Sequence, residues 1–185
     1  MRVRRFASHN SRDPLKYPDA RMPELAPIVI AYDGSEAARA AVNEAAALFG
    51  SRHAIVITVW EPGLADFMLM PGAMGTGTMM MPYDPATVQE IDKAAEDHAR
   101  DIAEDGMKLA QAGGLEAEAL AVPDAVDVAD TILSTAKERD AAAIVIGSRG
   151  LKGFKSKLMG SSSTSVLSRS ERPVVVVHQP GTREH

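Results

Sequence analysis

The chain has 185 residues, of which 45% are hydrophobic and 24% charged, a composition that fits one globular domain with a sizeable core. Twenty Lys and Arg stand against 25 Asp and Glu, a net charge of −5, with only four Phe, three Tyr and one Trp. That balance argues against a nucleic-acid surface, which needs basic charge and aromatic platforms, and the lack of cysteine excludes disulfides, thiolate metal sites and a Cys nucleophile.

Residues 1–26 hold six basic and three acidic side chains, so the remaining body carries −8. This stretch is unpatterned and broken by Pro14, Pro18 and Pro23. It reads as a poorly ordered basic extension, with a targeting arm as the alternative. No apolar stretch follows its arginines, so no signal peptide is expected. No run approaches the roughly 18–20 apolar residues of a spanning helix, and neither a membrane nor a nucleic acid is an expected partner. The cysteine-free composition suits a cytoplasmic location. A single domain is predicted over residues 27–180.

From Pro27 onward, strand and helix patterns alternate. Ile28–Tyr32 is a short β-branched run that reads as a buried strand. Glu36–Phe49, rich in Ala, reads as a helix with Ser35 as N-cap and Gly50 as its stop. Ala54–Trp60 is a second strand. Residues 61–84 hold six of the ten methionines and are longer than an ordinary connection. A mobile apolar flap is the preferred reading, over Met ligation of Cu(I) without a supporting His or Cys. A long helix is predicted from Pro85 to about Gly113, with Val88, Ile91, Ala95, Ile102 and Leu109 as its apolar stripe. His98 lies near that stripe and is expected to be a partly buried packing residue. Glu116–Val122 is a weak third strand and Asp124–Arg139 a third helix. A fourth strand (Ala142–Gly147), a fourth helix (Ser161–Arg169) and a fifth strand (Pro173–His178) complete the pattern. Such alternation, with continuously apolar strands, predicts a parallel sheet with helices on both faces.

Several common chemistries are absent. There is no GxxxxGK[ST] loop and no GxSxG or HExxH motif. Gly75-Thr76-Gly77 lacks the third glycine of a dinucleotide fingerprint. The informative stretch joins the fourth strand to the fourth helix. Gly147 and Gly150 sit where a turn or a close approach to a ligand favours glycine, and Gly160-Ser161 opens a helix whose free amides attract anions. Ser161, Ser162 and Ser163 add hydroxyls. Arg149, Lys152, Lys155 and Lys157 make the loop +4 with no acid, within an acidic body. A bound phosphate chain and a solvated turn before an ordinary helix both remain open from composition. Asp33, with Gly34 and Ser35, ends the first strand. If strands one and four are neighbours, its carboxylate faces the glycine loop across the crevice where open sheets bind ligands; otherwise it only caps a turn.

Taken together, these residues resemble the universal stress protein family. The matching stretches are IVIAYDGSEAARAAVNEAAAL from Ile28, AIVITVWEP from Ala54, AAIVIGSRG from Ala142 and GSSSTSVLSRSERPVVVV from Gly160. The family's ATP signature is a glycine, two residues, a glycine, nine residues, then Gly-Ser or Gly-Thr. It is complete here as Gly147, Gly150 and Gly160-Ser161. The resemblance implies a Rossmann-like five-stranded parallel sheet in the order 3-2-1-4-5. It implies a nucleotide site of Ala31, Asp33, Val59, Gly147, Arg149, Gly150, Gly160, Ser161 and Ser162. Asp33 would contact the adenosine, Val59 would meet adenine through its backbone, and the two loop ends would hold the phosphates. The turn before the third helix, Val122-Pro123-Asp124, lacks the glycine often found near it in the family. The ligand implied is ATP, alone or with Mg²⁺, and the assembly a homodimer through Val174–Val177. The leading functional reading is a cytoplasmic ATP-binding stress or regulatory protein. Its alternatives are a slow ATPase or self-phosphorylating enzyme, for which no general base other than Asp33 is evident, and a structural dimer with an unused pocket.

Overall fold

A computed structural model describes residues 25–63, 85–124, 126–148 and 160–178. Five strands, β1 (Ile28–Ala31), β2 (His53–Trp60), β3 (Glu116–Pro123), β4 (Ala143–Gly147) and β5 (Val174–Val177), form one sheet. Four helices, α1 (Glu36–Phe49), α2 (Pro85–Ala112), α3 (Val128–Glu138) and α4 (Ser161–Arg169), alternate with them. The strand order is β3-β2-β1-β4-β5 and every pairing is parallel. The predicted fold is the observed one.

The strands are apolar on both faces because both faces are covered. Ile28, Ile30, Val56 and Val145 pack with Ala38, Ala41, Val42 and Ala45 of α1 and Ala110 of α2. Val29, Ile55, Ile57, Ile144 and Ile146 pack on the opposite face with Ala129, Ile132 and Ala136 of α3 and Val166 of α4. The chain winds from β1 to β3 with α1 and α2 on one face, then returns past β1 and continues through β4 and β5 with α3 and α4 on the other. The reversal falls between β1 and β4, whose registers are Ile28↔Ala143, Val29↔Ile144 and Ile30↔Val145.

Local chemistry bounds the elements. Ser35 Oγ accepts from Ala38 N at 3.2 Å to cap α1, and Gly50, at φ +61°, ends it. The third helix begins at Val128, four residues later than expected. Asp124 Oδ1 instead accepts from Val126 N at 3.0 Å, holding that stretch as a turn, and Asp127 caps the helix by accepting from Asp130 N at 2.7 Å.

The inward line of α2 also differs from the predicted stripe. Of the predicted stripe, Val88 is buried, but the other buried residues are Ala99, Ala103, Gly106 and Ala110, whereas Ile91 is 43% exposed and Ile102 and Leu109 pack at the flanks. The small residues mark the closest approach to the sheet. A Cβ on Gly106 would lie 2.6 Å from Tyr32 Cδ1 and 2.8 Å from Val56 Cγ1. His98 is exposed rather than a packing residue, being next to the buried line instead of on it. The predicted flap falls almost wholly on residues 64–84, and the basic extension on residues 1–24; both lie outside the described residues.

Candidate functional site

Parallel strands deliver their connections to one edge of the sheet, so the turn after β1 and the excursion after β4 emerge side by side at the reversal point. On the β1 side the chain passes through Tyr32 and Asp33, turns at Gly34, where φ is +76°, and enters α1 at Ser35. Asp33 is half-buried and its Oδ1 accepts from Ser35 N at 3.0 Å. Tyr32 N donates to Ile57 O at 2.9 Å, and Thr58 Oγ1 donates to Tyr32 O at 2.9 Å. Tyr32 itself is buried with its hydroxyl unpartnered among the described residues. Burial pushes that phenol above its ordinary value, opposed by the charge of Arg39 and reinforced by the nearby Asp105, Asp33 and Glu36.

On the β4 side, Gly147 ends the strand, paired with Val177. Its glycine identity has a packing cause: an added Cβ would lie 2.6 Å from the backbone carbon and oxygen of Ala37 in the first turn of α1. Ser148 N donates to Val177 O and Gly160 N donates to Ser148 O, each at 2.8 Å. The chain that leaves at Ser148 therefore returns to the same point. Ser163, only 4% exposed, donates its hydroxyl to Gly147 O at 2.7 Å. This corrects the sequence reading, in which the Ser163 hydroxyl was one more donor for a ligand; here it ties α4 to β4.

The start of α4 is chemically open. Gly160 offers no side-chain cap, no acidic residue occupies the first turn, Ser161 is exposed and Ser162 half-buried. Helix starts leave several amides without intrahelical partners and carry partial positive charge. Ala31 and Val59 reach the same sheet edge from β1 and β2. Both are half-buried and pack on the α3/α4 face, the face from which α4 starts. The structure thus brings Ala31, Asp33, Val59, Gly147, Gly160, Ser161 and Ser162 to one edge around the reversal point. Arg149 and Gly150 lie outside the described residues.

Two hydroxyls with structural roles at this edge, Thr58 and Ser163, were not singled out for those roles by sequence. Thr58 carried a signal: a lone hydroxyl in an otherwise apolar strand has to find a partner. A cleft of about 430 Å³ is lined by Trp60, Asp92, Lys93, Glu96, Asp97 and Arg100, together with Gln89. It shares no residue with the predicted site, and its charged side chains are largely paired along α2, as in Lys93–Asp97 at 2.8 Å and Arg100–Glu96 at 2.7 Å.

Residues 25–178 match the universal stress protein family. The chain is 28% identical over 150 residues to universal stress protein YxiE of Bacillus subtilis, covering 81% of this chain and 97% of that one. UspA from Lactobacillus plantarum has the same fold at a TM-score of 0.59 and 19% identity, covering 83% of this chain and 98% of its own. The universal stress protein from Archaeoglobus fulgidus in complex with dAMP matches at a TM-score of 0.55 and 22% identity, with coverages of 83% and 98%. Related structures contain cAMP and, in a protein from Arabidopsis thaliana, AMP, at TM-scores of 0.54 and 0.53.

Proposed function

The chain belongs to the universal stress protein family, and from that premise we propose that it binds an adenine nucleotide, ATP, in the crevice between the ends of β1 and β4. The observation that carries the reading is the closed base of the glycine loop. The Gly160 N to Ser148 O bond brings the loop back to its origin, so the uncapped, acid-free start of α4 meets the sheet edge where Asp33 stands. A phosphate chain fits amides and hydroxyls of this kind. A carboxylate such as Asp33 only accepts hydrogen bonds, so it belongs with the sugar or base rather than the phosphates. The complete signature, with Arg149 and three lysines within it, favours a triphosphate. The nucleotides bound by the family structures support the adenine part. Among the described residues no group of three His, Asp or Glu side chains converges to hold a metal, so no protein ligand is assigned to a Mg²⁺ that accompanies ATP.

The biological reading is a cytoplasmic stress-response regulator whose nucleotide state alters its partners, working as a homodimer through β5. No helix among the described residues is long and apolar enough to cross a membrane. Calorimetry with ATP is expected to give a dissociation constant of about micromolar order. Absence of heat and of any thermal shift at millimolar ATP overturns the proposal. Gly160 has φ −58° and ψ 155°, a conformation open to any residue. Gly160→Leu is therefore expected to abolish binding, by blocking phosphate approach, while leaving the folded spectrum unchanged.

A further inference from the structure

Thr58 is the one hydroxyl residue in β2 and is 4% exposed. Its Oγ1 donates to the carbonyl of Tyr32, 26 residues away in sequence, at 2.9 Å. β1 ends at Ala31, and the ladder reaches one step further through Tyr32 N to Ile57 O. At the next step, where the backbone departs towards Asp33, the Thr58 hydroxyl takes the place of a strand partner. The Tyr32 ring packs close to α2 at Gly106, where an added Cβ would lie 2.6 Å from its Cδ1. Asp33 thus stands between an anchored carbonyl and the Ser35 amide that its own carboxylate holds.

We propose that Thr58 is a positioning residue for Asp33: its hydroxyl fixes the peptide joining Tyr32 to Asp33 and so aims the carboxylate at the adenosine. This rests on the nucleotide reading above. Thr58 touches no ligand on this account. Side chains alternate along a strand, so Thr58 lies with Val56 on the α1/α2 face, opposite Ala31 and Val59, and its influence passes through the backbone alone.

The test uses the full-length chain and AMP in calorimetry. Thr58→Val keeps the shape and deletes the hydroxyl, Thr58→Ser keeps the hydroxyl, and Thr58→Ala supplies the same deletion should the valine variant not fold. Loss of the hydroxyl is expected to weaken AMP binding about fivefold, in line with one lost hydrogen bond, while Thr58→Ser stays within about twofold of wild type. In an Asp33→Ala background the Thr58→Val change is expected to cost nothing further, because the group it positions is gone. Additive losses, or wild-type affinity in a folded Thr58→Val protein, overturn the proposal. If the wild-type chain binds ATP but not AMP, the same variants are read with ATP; if it binds neither, the nucleotide reading itself fails. Amide exchange at Ser35, whose N–H Asp33 holds, then decides the positioning role: faster exchange in Thr58→Val upholds it and unchanged exchange overturns it.

Discussion

Gly147 belongs to the glycine signature, yet the atoms nearest its absent side chain are those of Ala37. A methyl there would sit 2.6 Å from backbone of α1, which cannot yield as the end of a flexible side chain can. Gly147→Ala is therefore expected to destabilise the fold by about 1–3 kcal/mol, the usual range for overpacking, measured by urea unfolding without nucleotide. An unchanged midpoint would show that α1 shifts freely from β4. The contrast with Gly160 is instructive, since the two glycines look alike in sequence. One admits the approach of α1, and the other sits at an open helix start with an ordinary backbone conformation. Sequence spacing made the signature legible but not this division of labour, because the neighbour of Gly147 comes from an element more than a hundred residues earlier.

At the scale of elements, α3 and α4 are joined where the start of one meets the end of the other. Arg169 Nη1 lies 3.2 Å from Asp127 Oδ2, and the same guanidinium pairs with Asp130. The Asp127 carboxyl is held below its ordinary value of 3.8, first by the hydrogen bond from the Asp130 amide and then by Arg169. A carboxyl depressed in the folded state contributes stability above its unfolded value, and that contribution fades as pH falls through the lower folded value. Asp127→Asn keeps a capping oxygen and removes the charge. Its deficit in thermal midpoint relative to wild type is expected to be present at pH 7 and to shrink below about pH 3.8. A deficit independent of pH would assign the effect to packing. Sequence placed α1 and α4 correctly, because Ser35, Gly50 and Gly160 are strong local punctuation. It started α3 too early because Asp124 and Asp127 are both acceptable caps, and only the turn between them separates the two. The inward face of α2 was misread in part for a related reason: Val88 is buried as expected, but periodicity weights large apolar residues, whereas close packing against Tyr32 selects Gly106 and the alanines in line with it.

For the whole molecule, the strand order leaves β5 at an edge of the sheet, paired among the described residues with β4 alone. An apolar edge strand is an aggregation hazard unless something covers it, and a two-fold copy of the same strand is the common solution. The valine side chains are already engaged: Val175 packs on the α1 face and Val174 and Val176 on the α4 face. A lysine at any of them would damage the protomer as well as an interface, so the backbone offers the cleaner test. Ile144 N donates to Pro173 O at 2.9 Å and Ser148 N to Val177 O at 2.8 Å. Residues 173 and 177 therefore turn their carbonyls towards β4, and by alternation the N–H and carbonyl of Val174 and Val176 face outward. Proline is tolerated on an edge strand where the lost N–H faces outward. Light scattering of the wild-type chain at tens of micromolar is expected to give a dimer, and Val176→Pro a folded monomer. A wild-type monomer defeats the proposal. A Val176→Pro protein that remains dimeric moves the interface away from β5, while Val175→Pro, which removes an inward N–H, is expected to unfold the edge itself.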